Sequence, residues 1–234
     1  MATLRRQDPP LAESSLDFVE RFCDLYENKG LFRGDEALPL HCDCPAAADC
    51  WGSLPAAVHP PRNEAAISVP WCGPSYRSGG VAVVAINMDK YGGLGAHWWI
   101  RLERVRELKS GRRRAFDYRL GTFVALAQAS LGGAPLDVEP EPARVGEAWE
   151  AAAFLESVKC SPEQGVSAPT GAMWRNCPDR YLVEEIAVLA PSVVIAVGKA
   201  PGQALRRLLN VQLDEANREP WVLARAEFVR RPPG

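Results

Sequence analysis

Two short, almost wholly apolar runs stand out in the pattern of hydrophobic and polar positions. Residues 80–86 read GVAVVAI, and residues 192–198 read SVVIAVG. Continuous apolar runs of this length are typical of parallel strands that are buried on both faces. The weaker run at 152–155 and the pair of segments at 221–223 and 226–229 predict further strands.

Helical periodicity fills the stretches between these strands. Apolar residues recur at helical spacing in 14–28, with Ser14 or Ser15 as the predicted N-cap. Further helices are predicted at 115–131, which is expected to be buried, and at 181–189 and 200–209. The proline-rich, acidic stretch 134–150 is predicted to be a connecting loop. Because strands alternate with helices, we expect an α/β fold, specifically a three-layer α/β/α sandwich around a mostly parallel central sheet.

Length and composition favour one globular domain over the whole of 1–234. The chain is 47% hydrophobic and 24% charged, as in ordinary soluble domains. Its N-terminus lacks the apolar core of a signal peptide, and no run reaches the roughly 18 apolar residues of a membrane span. We therefore expect a cytoplasmic protein with no membrane partner.

The seven cysteines point to metal chemistry more than to disulfides. Their number is odd, and disulfides are rare in a reducing compartment. The segment 31–80 has little periodicity, and a stretch this long is stable in a compact domain only if something holds it. It contains Cys42, Cys44, Cys50 and Cys72. We predict that a metal ion or cluster fastens this segment to the sheet; thiolates suit zinc and iron–sulfur centres alike.

A basic segment suggests a nucleic-acid partner, although the net charge is −2. Residues 101–119 contain eight Lys or Arg against three Asp or Glu. Such a block can follow phosphates, and the exposed-looking turn at Arg112, Arg113 and Arg114 predicts DNA contacts. The alternative is a solvated helix face with ion pairs such as Glu103–Arg106.

The loop after the first buried strand is a site candidate on physical grounds, since ligands bind beyond the carboxyl ends of strands in open α/β sheets. This stretch, AINMDKYGG at 85–93, resembles the water-positioning loop of the uracil-DNA glycosylase superfamily, with Met88 where proline is usual. The resemblance implies that Asn87 positions the attacking water, with Asp89 as a second candidate. It also implies an aromatic side chain that stacks on the flipped base. The candidates are Tyr91 and Trp98, with Trp99 as the alternative, and one of the two tryptophans is expected to be core.

A second segment narrows the resemblance to the iron–sulfur-containing branch of that superfamily. ESVKCSP at 156–162 is similar to its Asn-Val-Val-Lys-Cys strand end, and Cys177 follows at about the expected distance. The resemblance implies a structural 4Fe–4S cluster, with structural zinc as the alternative. The implied ligands are Cys160, Cys177, Cys44 and Cys50, with Cys42 and Cys72 as substitutes for the last two.

Glu156 departs from the superfamily, which has an asparagine there to read uracil. A carboxylate only accepts hydrogen bonds, so it would suit the exocyclic amine of cytosine or adenine. We therefore expect an amino-bearing base such as a modified cytosine, with Asp89 near a polar 5-substituent. The alternative is that Glu156 lies on the surface and the match is shifted by one residue.

The superfamily's His-Pro-Ser motif is absent, and Arg231 in the closing RRPPG stands closest to its place. An arginine there would stabilise the leaving base as an anion. The expected function is that of a monomeric, monofunctional DNA glycosylase in base excision, with a role in defence against phages that carry modified DNA. The alternative is a catalytically silent, nucleic-acid-binding member of the superfamily.

Overall fold

The computed structural model describes residues 13–29, 44–52, 70–85, 103–113, 115–135, 137–159, 169–215 and 222–226. The helices are α1 (Glu13–Asn28), α2 (Ala47–Trp51), α3 (103–109), α4 (Ala115–Gly132), α5 (Pro142–Glu150), α6 (Gly171–Cys177), α7 (Val183–Leu189) and α8 (Lys199–Glu215). The strands are β1 (Trp71–Cys72), β2 (Val81–Ala85), β3 (Ala152–Glu156), β4 (Val193–Val197) and β5 (Val222–Ala226).

These strands form one sheet in the order β1-β3-β2-β4-β5. Strands β3, β2, β4 and β5 are parallel, and the short edge strand β1 runs antiparallel to β3. The predicted α/β class with a mostly parallel sheet is therefore confirmed. Strand β3, the next after β2 in the chain, lies beside β2 in the sheet. The chain then crosses over β2, and β4 lies along the opposite edge of β2.

Apolar side chains pack against both faces of the sheet. Alternate residues of β2, such as Val81 and Val83, join a core with α3, α4 and α5, which we call the α4 side. Ala82 and Val84 join a second core with α1, α2, α6 and α7, which we call the cysteine side. Because both faces are covered, the strands read as continuous apolar runs instead of alternating ones.

The prediction of a loop over 134–150 was wrong for its second half, which is helix α5. Pro142 occupies the first turn, where its missing N–H costs no helical hydrogen bond. Val145, Ala148 and Trp149 form a buried stripe on the α4 side. The Trp149 indole N–H donates to the Asp117 carbonyl at 3.1 Å, which fixes α5 to α4.

The helix predicted at 181–189 is the end of a longer one. Helix α6, a π-helical segment at Pro178–Leu182 and α7 follow one another without a break. Pro178 has no N–H for the helical ladder, which explains the local change of hydrogen-bond pattern. The helix ends at Ala190, which adopts a left-handed conformation (φ 45°) before Pro191.

Two smaller predictions about helices also need correction. Helix α1 includes Ser14 and Ser15, which therefore do not cap it. Helix α4 was expected to be buried, but Phe116, Phe123 and Leu131 are nearly half exposed, so only one of its sides faces the core. Within the described part of the chain, no helix is long and apolar enough to cross a membrane.

Candidate functional site

The carboxyl ends of β2 and β3 lie side by side. Ala85 pairs with Glu156 at the last position of the parallel ladder. The backbone N–H and the hydroxyl of Ser157 both donate to the Ala85 carbonyl, at 2.9 and 2.6 Å. The loop that begins after Ala85 and the side chain of Glu156 therefore start from the same edge of the sheet.

The topology singles out this edge as a place for a ligand. Strand β2 lies between β3 and β4, and the chain leaves β2 toward one side but reaches β4 on the other. In doubly wound sheets, connections that diverge in this way open a crevice at the carboxyl ends of the strands. The last described residue before the predicted Asn87 loop, Ala85, lies at this edge.

Glu156 is buried, with only 2% of the residue exposed. The interpretation of Glu156 as a surface residue is therefore wrong. Because side chains alternate along a strand, it lies on the same side of β3 as Phe154, toward the α4 side of the sheet. Burying a carboxylate is costly, so such a position needs compensating polar contacts.

Cys44, Cys50 and Cys177 are free, buried cysteines that the fold brings to one region of the cysteine side. Cys44 precedes α2, Cys50 lies within it, and Cys177 ends α6. Helix α2 packs against α6, and their contact is polar as well as apolar. The Thr170 hydroxyl caps α6 by accepting from Met173 N–H, and it donates to the Cys50 carbonyl at 3.0 Å.

The thiols of these cysteines influence one another electrostatically. Burial, together with the neighbouring Cys50 and Cys44, raises the pKa of Cys177 to about 12, although Lys159 acts in the opposite direction. Burial also raises the pKa of Cys50, against a lowering effect of the Asn176 side chain. Buried thiols of this kind stay protonated unless a cation is bound, because a metal deprotonates the thiols that coordinate it.

Each of the three sulfurs accepts a hydrogen bond from a different group. The Tyr181 hydroxyl donates to Cys44 Sγ at 3.1 Å, and the Asn176 amide donates to Cys50 Sγ at 3.4 Å. The backbone N–H of Lys159 donates to Cys177.

The donor set fits a thiolate centre, whether zinc or an iron–sulfur cluster. Cys44, Cys50, Cys177 and Cys160 would hold it, and it would tie α2 to α6 and to the end of β3. Among the described residues, which do not include Cys160, no three His, Cys, Asp or Glu side chains form a group that could hold a metal ion as it stands.

Cys72, the substitute ligand, lies in β1 within the core on the cysteine side, and burial raises its pKa.

A buried ion pair beside the cysteines was not anticipated. Lys159 and Glu185 are both completely buried, and their side chains meet at 2.7 Å. The Tyr26 hydroxyl donates to the other oxygen of Glu185. Burial raises the pKa of Glu185, although Lys159 and Tyr26 act in the opposite direction. The spacing of residues 26, 159 and 185 in the sequence does not predict this contact.

Three side chains of the basic segment are paired with acidic ones. Arg104 and Arg112 both contact Glu107, at 3.1 and 3.0 Å, and Lys109 contacts Glu150 at 2.9 Å. Arg113 lies 4.9 Å from the centre of the Tyr118 ring. Arg112 and Arg113 remain exposed to solvent. The two predicted alternatives, an ion-paired helix face and a segment that contacts phosphates, therefore do not exclude each other.

Several predicted site residues lie outside the described part of the chain. They are Asn87, Asp89, Tyr91, Trp98, Trp99, Arg114, Cys42, Cys160 and Arg231.

No protein-family model matches this chain. No curated protein matches it closely enough to count as a relative.

Proposed function

We propose that this protein is a monofunctional DNA glycosylase with the three-layer α/β/α sandwich of the uracil-DNA glycosylase superfamily. The observation that carries the proposal is the buried Glu156 carboxylate beside the end of β2, where the Asn87 loop begins. A recognition group and a water-positioning loop would then face one pocket from neighbouring strands.

The chemistry is hydrolysis of the bond between the base and the sugar. A glycosylase takes its target base out of the stack before it can reach this bond. Asn87, or Asp89 in its place, positions a water that adds to the anomeric carbon. The carbon–nitrogen bond breaks, the base departs with the electron pair, and the water loses a proton. Arg231 would stabilise the departing anion, as fixed positive charge does in preorganised sites.

Glu156 would select the base. As a carboxylate it accepts hydrogen bonds and donates none, so it suits the exocyclic amine of cytosine or adenine and not the O4 of uracil. Tyr91 or Trp98 would stack on the flipped ring. The substrate class is therefore an amino-bearing base, and a modified cytosine fits best because Asp89 could bind a polar 5-substituent.

DNA binding would use the exposed guanidinium groups of Arg112 and Arg113, with Arg114 between them and α4. The pair between Arg112 and Glu107 is solvent-exposed on the arginine side and can exchange its carboxylate for a phosphate. The protein would act as a monomer. The thiolate centre would be structural and take no part in hydrolysis.

A panel of oligonucleotides tests this function. Each carries one cytosine, modified cytosine, adenine or uracil, in single-stranded or duplex form, and abasic sites are detected by alkaline cleavage. Glu156→Gln should reduce release of the amino-bearing base by roughly 5- to 150-fold, because a matched hydrogen-bonded pair contributes about 1–3 kcal/mol of discrimination. Glu147→Gln, a change at an exposed position of α5, is the matched control.

The outcomes separate the alternatives. Release of uracil without release of cytosine derivatives would show that Glu156 does not read the base. If no base is released, and if Asn87→Ala and Glu156→Gln leave DNA binding intact, the protein is the catalytically silent binding member instead.

A further inference from the structure

Hydrogen-bond donors surround the three described sulfurs of the predicted thiolate centre. Tyr181 is completely buried, and its hydroxyl is 3.1 Å from Cys44 Sγ. The side-chain amide of Asn176 contacts Cys50 Sγ at 3.4 Å and Asp49 Oδ2 at 2.8 Å. Neither contact was anticipated from the sequence, because the two donors and their acceptors lie more than 120 positions apart.

Neutral sulfur is a weak acceptor, whereas a hydrogen bond to a charged acceptor is about twice as strong as a neutral one. The Tyr181 hydroxyl and the Asn176 amide are each directed at a different buried sulfur. This arrangement would stabilise the thiolate ligands of a bound centre more than it stabilises neutral thiols.

The helix that holds these donors has an unusual local geometry. Asn176 and Cys177 end α6, and Tyr181 lies in the π-helical segment that follows. Single π turns inside α-helices occur frequently at functional sites. The Tyr181 ring packs edge-to-face on Tyr26, with ring centres 5.9 Å apart, so its hydroxyl is held in direction as well as in distance.

We propose that Tyr181 and Asn176 retain a thiolate-bound iron–sulfur cluster in this protein and set its reduction potential, through hydrogen bonds to Cys44 and Cys50. This inference rests on the metal centre of the proposed function and not on glycosylase activity. Hydrogen bonds to cluster sulfurs are among the factors that set reduction potentials. They stabilise the more negative, reduced state, so their loss lowers the potential.

The decisive variant is Tyr181→Phe, which removes one hydroxyl and keeps the ring that packs on Tyr26. Tyr118→Phe is the matched control, because it removes a hydroxyl that donates to the Pro140 carbonyl at 2.7 Å, away from the cysteines. The full-length protein is purified without oxygen. Its iron content, its absorbance and its reduction potential are measured, together with the rate of iron loss to a chelator.

Tyr181→Phe should bind iron at first but retain it roughly 10- to 100-fold less well, the usual effect of removing a group that hydrogen-bonds a metal ligand. Its potential should fall below that of the wild type, whereas Tyr118→Phe should change neither property. Asn176→Ala should act in the same direction. Equal retention and equal potential in Tyr181→Phe and Tyr118→Phe would overturn the inference while leaving the cluster in place.

Two other results are equally informative. A reconstituted wild type that binds no iron, or that binds only zinc, would overturn the inference at its root. Normal cluster behaviour in a protein that releases no base would leave the inference standing and remove only the enzymatic proposal.

Discussion

Lys159 shows how much a single side chain in this fold depends on its partner. Its ammonium group is completely buried against Glu185, which also accepts from Tyr26. The three residues join the end of β3 to α7 and α1. A buried pair is weak evidence for net stability, because desolvation offsets the attraction, but removing one member leaves an uncompensated charge.

We therefore expect Lys159→Met to lower the free energy of unfolding by about 3–5 kcal/mol, measured by urea denaturation. Lys29→Met is the matched control. It removes a partly exposed lysine that contacts Glu184, and such pairs contribute about 0–1 kcal/mol. The double variant Lys159→Met/Glu185→Leu should be more stable than Lys159→Met alone. Equal costs for the two lysine variants would mean that the buried pair contributes nothing special.

At the level of single residues, the sequence marked candidate site residues but did not predict which side chains would contact them. The resemblance marked Glu156, Cys160 and Cys177, and three predicted ligands lie together on the cysteine side. The partners of those residues were not predictable. In the local sequence pattern, Tyr181, Asn176 and Glu185 are ordinary positions of a helix. Only tertiary packing brings them into contact with sulfurs and a charged group that are far away in the sequence.

Among the elements, helices α4 and α5 approach each other closely at Gly121. A Cβ on Gly121 of α4 would lie 2.4 Å from Val145 Cγ1 and 2.5 Å from Trp149 Nε1. Both neighbours are buried and belong to α5. The absent side chain at 121 therefore allows the two helices to approach.

Gly121→Ala should destabilise the protein by about 1–3 kcal/mol, because overpacking forces neighbours off their preferred rotamers. Gly132→Ala, in the same helix, is the control, since nothing lies within 4 Å of its added Cβ. This control should be neutral or should stabilise by up to about 1 kcal/mol through helix propensity. Thermal unfolding followed by circular dichroism distinguishes the two. An equal effect of both changes would argue that α4 and α5 are not in close contact.

Elements with a clear hydrophobic pattern in the sequence were predicted correctly, and some elements with a weak pattern were missed. Strands β2 and β4 were readable because burial on both faces leaves an unbroken apolar run. Helix α5 was not, because Pro142 and the acidic residues around it suggested a loop and only three apolar positions mark its buried side. The order of strands in the sheet is a tertiary property that no local pattern contains.

At the scale of the whole molecule, the described residues form two cores separated by the sheet. The cysteines, α1, α2, α6 and α7 belong to one core, and α3, α4 and α5 belong to the other. A thiolate centre would therefore support one side of the protein directly and the other only through the strands.

If the proposed thiolate centre is bound, its removal by a chelator should raise amide hydrogen exchange in 44–52 and 171–177, because α2 and α6 would lose the link between them. Exchange in 115–132 and 142–150 should change little, because these helices pack on the opposite face. Cys50→Ala should reproduce the pattern without a chelator, and Cys72→Ala should keep its metal. A uniform rise in exchange over both cores would show that the centre does not act locally.

Ser157 has a consequence for anyone who redesigns this protein. Its hydroxyl and backbone N–H both donate to the carbonyl of Ala85, the residue before the loop that would carry Asn87, so we expect substitutions at position 156 to leave this connection in place. If Glu156 reads the base as proposed, a library that randomises this position should alter which base is released without displacing the start of the loop. A library that also randomises Ser157 should break this connection and, in the proposed enzyme, lose turnover before it gains a new preference.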